Sequence, residues 1–346
     1  MIRLDLNESP LDIPRETKEA ILEVLRMVPF NRYRSEYREE CIALLARQNQ
    51  VARDMVVLGN GADEIIALAI AACAGPRGRV VLPMPTFSGY AAQARAAGVG
   101  MSRVPAGSDF AFDVGKLARA LEQGPAGATL LFLCRPNNPT GYTCALEDVR
   151  RLLDTRPDAV VAVDEAYFEF SGLTARDLLE EHPNLVIIRT LSKAFCLAGI
   201  RVGYALAWPG LVSRLEGARA PFSISVASYA IAAQVLKSTA EFRAMVRQIS
   251  EWRDRLYARL LDVPGIRPLP SPANFLLLEV GPGARRLQQE LKTRGILVRH
   301  YGEESLENYL RVSVGTPSDN DLFVQALEEL LNGRDVHDIA HHRAPD

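Results

Sequence analysis

No apolar run in the 346-residue chain approaches the ~20 residues a bilayer span needs, so no membrane partner is expected. Cysteine is scarce. The five thiols (Cys41, Cys73, Cys134, Cys144 and Cys196) are odd in number, scattered, and form no Cys-x-x-Cys pair, which fits free thiols in a reducing cytoplasm and offers no metal site. Charge of one sign is also missing: 40 Lys and Arg face 42 Asp and Glu, so nothing calls for nucleic acid or an anionic surface. Repeats and low-complexity tracts are absent. The opening residues, Met1 to Glu8, are too polar and acidic for a signal peptide. The expectation is a cytoplasmic, enzyme-sized globular protein of one or two domains.

What is present is organised around residues 184–204. A β-branched run, Leu185 to Ile188, reads as a buried strand. Thr190 and Ser192 follow, two hydroxyls able to bond a phosphate, then Lys193, then Arg201 between Gly199 and Gly203. A lysine beside such hydroxyls and an arginine suits a Schiff base with a phosphorylated aldehyde cofactor, although an isolated Ser-Lys is more often a surface lysine after a strand. Around this stretch strands and helices alternate. Short apolar runs at 55–58, 79–83, 129–133, 160–163, 184–189 and 203–207 are separated by helical spacing at 65–74, 88–97 and 146–154. That alternation predicts an α/β fold with a mostly parallel sheet between helical layers, its site at the carboxyl ends of the strands. The expected domains are an N-terminal arm and helix (1–27), a large three-layer α/β/α domain (28–237), a smaller α+β domain (238–332) and a polar tail (333–346). In the tail, His337, His341 and His342 read as part of a frayed end rather than a metal cluster.

Several other segments fall at strand ends. Gly59-Asn60-Gly61-Ala62-Asp63-Glu64 joins a strand to a helix, where free N–H groups favour an anion, although Asn60 or Asp63 can equally be a helix cap. Pro85-Thr86-Phe87 offers an aromatic face for a planar ring, or a core residue. Arg135 to Gly141 (Arg-Pro-Asn-Asn-Pro-Thr-Gly) is either a tight turn or a rigid mount for the Asn138 carboxamide, which can donate to a ring oxygen. Asp164-Glu165-Ala166-Tyr167 closes a buried apolar strand. A carboxylate there needs a partner, and a protonated pyridine nitrogen is one; Tyr167 can reach the phenolic oxygen beside it.

Taken together, Asn-Asn-Pro-Thr-Gly, Asp-Glu-Ala-Tyr and Ser-Lys-x₅-Gly-x-Arg, in that order, resemble the cofactor site of fold type I pyridoxal-phosphate enzymes of the class I/II aminotransferase kind. The resemblance spans nearly the whole chain. Leu6-Asn7-Glu8-Ser9-Pro10, Gly61-Ala62-Asp63-Glu64, Thr190 to Phe195 and Arg311 to Thr316 are most similar to the histidinol-phosphate aminotransferase group. It implies pyridoxal 5′-phosphate as cofactor, Lys193 as the Schiff-base lysine and Asp164 as the pyridinium partner. Asn138 and Tyr167 would bond the ring 3′-oxygen and Phe87 would stack on the ring. Ala62, Asp63, Thr190, Ser192 and Arg201 would hold the phosphate, with Tyr33 reaching it from the other subunit of a homodimer with shared sites. Arg311 would take the substrate carboxylate or its equivalent, Arg299 its phosphate end, and Asn7 and Asn138 would help shape the substrate end. The small-molecule partners implied are an amino donor and a 2-oxo acid. The chain departs from the group pattern at Ser9, Arg34 and Phe87, where Asn, Pro and Tyr are usual. Rival readings are a threonine-phosphate decarboxylase and an aromatic or aspartate aminotransferase. A regulatory module fused to a DNA-binding domain finds no basic helix-turn-helix before residue 15 to support it.

Overall fold

Two sheets form in the computed structural model of the chain, in which residues 1–341 are described, with side chains as far as residue 331. The chain divides into two compact units. One comprises Asp12–Asn138 and Tyr142–Met245; the other comprises Met1–Leu11, Pro139–Gly141 and the chain from Val246 onward. Strand β1 (Ile2–Leu4) belongs to the second. In the first, helices α1 (Arg15–Met27) and α2 (Glu36–Asn49) precede strand β2 (Val56–Gly59). Helix α3 (Gly61–Ala69) then leads to β3 (Arg79–Met84), α4 (Ser88–Ala96) to β4 (Gly100–Pro105), and α5 (Val114–Glu122) to β5 (Thr129–Cys134). Helix α6 (Leu146–Thr155) leads to β6 (Val160–Asp164), and a single turn, α7 (Phe168–Ser171), comes before β7 (Leu185–Thr190) and β8 (Gly203–Ala207). Helices α8 (Pro209–Ala218) and α9 (Val226–Lys237) follow.

These strands make a seven-stranded sheet in the order β2-β8-β7-β6-β5-β3-β4. The run from β4 to β7 is parallel; β8 is antiparallel to both its neighbours. A parallel strand covered on both faces must be apolar at every position rather than at alternate ones, and every residue of β5, β6 and β7 is buried. Val80, Leu82, Leu130, Phe132, Val160, Ala162, Val186 and Ile188 share one core with Ile65, Ile66, Leu211 and Leu215 from α3 and α8. The intervening Val81, Leu131, Leu133, Val161, Val163 and Ile187 are equally buried, which alternation along the strands places on the opposite face. The chain leaves β3 outward to β4 and returns to β5 on the other side. A crevice therefore opens between the carboxyl ends of β3 and β5, the place where α/β sheets take ligands.

The boundary between the units falls inside helix α10 (Thr239–Leu261), a little beyond the expected break at 237/238. Beyond it come β9 (Arg267–Leu269), β10 (Phe275–Glu279), α11 (Ala284–Thr293), β11 (Ile296–His300), β12 (Tyr309–Ser313) and α12 (Pro317–His341). The sheet order is β1-β11-β12-β10-β9, with β1 parallel to β11 and the rest antiparallel. The arm and the first helix thus part company: residues 1–11 complete the five-stranded sheet, whereas α1 packs in the other unit. Helix α12 is assigned past Asn332; the histidines of the tail lie outside the described side chains. Among the described residues no helix is long and apolar enough to cross a membrane, and no group of His, Cys, Asp and Glu is arranged to hold a metal.

Candidate active site

Loops from four parallel strands leave the same edge of the seven-stranded sheet. Because β8 runs antiparallel, its first residue, Gly203, pairs with both Thr190, the last residue of β7, and Gly59, the last of β2. The segment 190–203 therefore leaves and re-enters the sheet at this edge and carries Thr190, Ser192, Lys193 and Arg201 with it. Lys193 is partly buried there.

The hydroxyl and guanidinium groups form one cluster. Thr190 Oγ1 donates to Ser192 Oγ at 2.9 Å, and the Ser192 N–H donates to Thr190 Oγ1 at 3.1 Å. Arg201 lies 3.4 Å from Ser192 Oγ through one terminal nitrogen and donates to Asp63 Oδ2 at 2.9 Å through the other. Glycine makes this possible at two places. A Cβ at Gly61, where φ is +75°, would sit 2.4 Å from the Arg201 guanidinium, and one at Gly203 would sit 2.4 Å from the Ala62 backbone nitrogen. The start of α3 and the arginine are thereby brought against each other. Two hydroxyls, a guanidinium and the first N–H groups of a helix form an anion site by chemistry.

Asp164 ends β6, nearly buried at 4% exposure. Tyr90 Oη donates to its Oδ2 at 2.6 Å and the Ala166 N–H to its Oδ1 at 3.0 Å. Burial pushes this carboxyl up to about 6, against the pull of those two donors. Phe87 meets the Tyr90 ring edge-on, with centroids 5.4 Å apart. The loops after β3 and β5 are tied across the switch point: Thr86 Oγ1 donates to Asn137 Oδ1 at 2.7 Å, and Asn137 Nδ2 donates to the Pro85 carbonyl at 3.0 Å. Asn138, next in the chain, is held nearly buried, as is Tyr167 at the start of α7. Behind this edge Arg189 and Glu165 form an enclosed ion pair, 2.7 Å between Nη2 and Oε2, with 3% and 0% of the side chains exposed. Thr174 Oγ1 and the Ala175 N–H also donate to Glu165, at 3.0 and 2.6 Å.

Tyr33 stands apart from these clusters, exposed and stacked on Phe222, also exposed, with ring centroids 3.9 Å apart. Asn7, Arg299 and Arg311 belong to the five-stranded unit. There the Asn7 N–H donates to Ser313 Oγ at 2.8 Å, that hydroxyl donates to Asn7 Oδ1 at 3.1 Å, and Asn274 Nδ2 donates to the Asn7 carbonyl at 3.1 Å. Arg311, buried on β12, donates to the Asp5 carbonyl at 2.5 Å. Its direct cross-strand partner on β11 is Arg299, which is exposed. Arg311 lies over the Phe275 ring at 5.6 Å and Arg299 over the Tyr301 ring at 5.7 Å, two cations on neighbouring strands.

Sequence reasoning missed Tyr90, Thr86, Asn137 and the Glu165–Arg189 pair. For Tyr90 a signal existed: it lies in the first turn of the helix that Phe87 leads into, and a buried carboxylate demands a donor.

The family model for aminotransferase class I and II matches residues 1–327. The chain belongs to that family. Among curated relatives it is 38% identical over 335 residues to the histidinol-phosphate aminotransferase of Thermococcus gammatolerans, covering 97% of this chain and 93% of that one. Among solved structures it is similar to the histidinol-phosphate aminotransferase of Sinorhizobium meliloti in complex with pyridoxal-5′-phosphate. That pair shares 26% identity at a TM-score of 0.89, over 96% of this chain and 91% of the other. The L-threonine-O-3-phosphate decarboxylase of Porphyromonas gingivalis shares the fold, at 22% identity and a TM-score of 0.82 over 96% of this chain and the whole (100%) of that one.

Proposed function

We propose that this aminotransferase uses pyridoxal 5′-phosphate to move an amino group between histidinol phosphate, or a similar amine or amino acid, and 2-oxoglutarate. The observation that carries the reading is the convergence of a lysine, a buried carboxylate and a hydroxyl–guanidinium cluster on one sheet edge. The 38% identity with a histidinol-phosphate aminotransferase along 97% of the chain directs the choice of substrate.

The residues present fit this cofactor. Thr190, Ser192, Arg201 and the N–H groups at Ala62 and Asp63 supply the donors a phosphate needs, with Asp63 also holding Arg201 in place. Asp164 supplies the negative charge that a protonated ring nitrogen needs, and its burial makes such a partner valuable to it in turn. Asn138 and Tyr167 would bond the ring 3′-oxygen, and Phe87 would cover a ring face. Bound there, the cofactor supplies an electron sink for charge developing at the substrate Cα. Lys193 Nζ would be the amine that holds the cofactor, and once free it would be the base that takes the proton from the substrate Cα. Arg311 would pair with the substrate carboxylate or its equivalent, and Arg299, its cross-strand neighbour, with the substrate's phosphate. Asn7 buttresses this end from its seat on Ser313.

A homodimer with shared sites accounts for the exposure of Met27, Phe30, Tyr33 and Phe222, which a second copy would cover, bringing Tyr33 to the partner's phosphate. Five free thiols fit a cytoplasmic setting. The test is formation of glutamate's partner product: with purified protein, 2-oxoglutarate production from glutamate should depend on imidazole acetol phosphate, the keto form of histidinol phosphate. Release of CO2 from threonine phosphate without any keto-acid requirement would replace transamination by the decarboxylase reading.

A further inference from the structure

We propose that Tyr90 is a positioning residue for Asp164: its seated hydroxyl aims the carboxylate at the cofactor's ring nitrogen and couples that aim to the ring's stacking partner. The inference rests on the reading that this site takes pyridoxal phosphate. Tyr90 has no exposed surface. Its ring lies flat on Phe132 of β5, with centroids 4.6 Å apart and planes 6° from parallel, and it meets Phe87 edge-on at 5.4 Å and 86°. A ring so enclosed cannot swing its hydroxyl away. The 2.6 Å bond to Oδ2 and the 3.0 Å bond from Ala166 N–H to Oδ1 together fix the plane of the carboxylate. Each carboxylate oxygen still has a lone pair left for a ring N–H.

The groups with the largest effects on Asp164 can each be assigned a sign. Asp63 on α3 and Glu165 next in the chain oppose its ionisation, burial opposes it most, and the Tyr90 hydroxyl on α4 favours it. Cys134, paired with Asp164 across β5 and β6, stays a neutral thiol because burial pushes its own ionisation up. Tyr90 is likewise kept protonated by burial and by the Asp164 charge, so it donates at all working pH values. Phe87 and Asp164 would touch different parts of one ring, and the same tyrosine contacts both.

Tyr90→Phe removes the hydroxyl while keeping the ring and its two aromatic contacts. Cofactor binding to the apo protein, followed by equilibrium dialysis as a function of pH, is expected to weaken about tenfold at neutral pH (~1.4 kcal/mol). The acid limb of binding, set by Asp164 near 6, is expected to move to higher pH because a donor to the ionised form is gone. Turnover should fall with little change in KM for the amine. In an Asp164→Asn background the same substitution should change binding by less than about twofold, the signature of an effect exerted through that carboxylate. Phe132→Leu, which frees the ring but spares the hydroxyl, should shift the acid limb the same way by a smaller amount, and serves if Tyr90→Phe does not fold. An unshifted acid limb with unchanged affinity in both variants would overturn the proposal, as would an equal loss with and without Asp164. Wild-type protein that binds no pyridoxal phosphate would instead remove the functional reading beneath it.

Discussion

In the seven-stranded unit the carboxylates behind the candidate site, Asp164 and Glu165, are enclosed and answered by donors, whereas in the five-stranded unit two like charges sit on neighbouring strands. Asp164 has a donor on each oxygen, and Arg189 and Glu165 neutralise each other out of contact with water. Arg311 and Arg299 are cross-strand partners with the same sign, one buried and one exposed. Ion pairs elsewhere in that unit are on the surface, such as Arg267–Glu279, whose side chains are 66% and 37% exposed. Groups locked in advance by their own protein suit a ligand that stays. Positive charge on neighbouring strands suits an anion that arrives and leaves.

Substitutions can break that comparison at either end. The largest effect is expected at Lys193. Lys193→Ala should reduce turnover by about 10⁴-fold or more and abolish the visible band of the cofactor-loaded protein, read by steady-state assay and absorbance. Next comes the enclosed pair. Glu165→Ala leaves Arg189 charged and buried, and should cost about 3–5 kcal/mol of stability in urea unfolding, whereas Glu279→Ala on the surface should cost less than about 1 kcal/mol. In the five-stranded unit, Arg311→Lys loses the guanidinium fork. It should raise KM for the anionic substrate about tenfold to a hundredfold and leave the cofactor band intact. A band lost in Arg311→Lys would dissolve the division of labour.

The smallest effect sharpens the account of Asp164. Its carboxyl is raised from 3.8 to about 6, so the folded apo protein holds that proton more tightly than the unfolded chain does. Stability from this group is then full below 3.8 and is lost as pH rises through about 6. Asp164→Asn removes the penalty. The apo variant should match wild type in acid and melt at a higher temperature than wild type above that window. Equal melting temperatures at every pH would mean the carboxylate carries no burial penalty.

Much of this was legible because the site hangs from consecutive strands. Each apolar run ends at a polar motif, so Cys134 leads into Arg135 to Asn138, and Val163 into Asp164, without any knowledge of pairing. Strand β1 was not legible: three residues give too little alternation, and its partner β11 lies at the far end of the sequence. Helix α9 shows no stripe because it is buried on most sides, seven of its twelve residues being enclosed. Tyr90 was missed for a related reason: its spacing puts it on a helix face, but only folding brings it to a carboxylate 74 positions away. The opposition of Arg299 and Arg311 likewise depends on strand register, which neither motif encodes.

If this sheet edge performs transamination through Lys193, a single half-reaction reveals it. Protein loaded with pyridoxal phosphate is given histidinol phosphate alone while its visible spectrum is recorded. The visible band is expected to disappear and to return when 2-oxoglutarate is added. A band that stays unchanged on adding the amine would rule out histidinol phosphate as the substrate, and one that disappears with release of CO2 would rule out transamination itself.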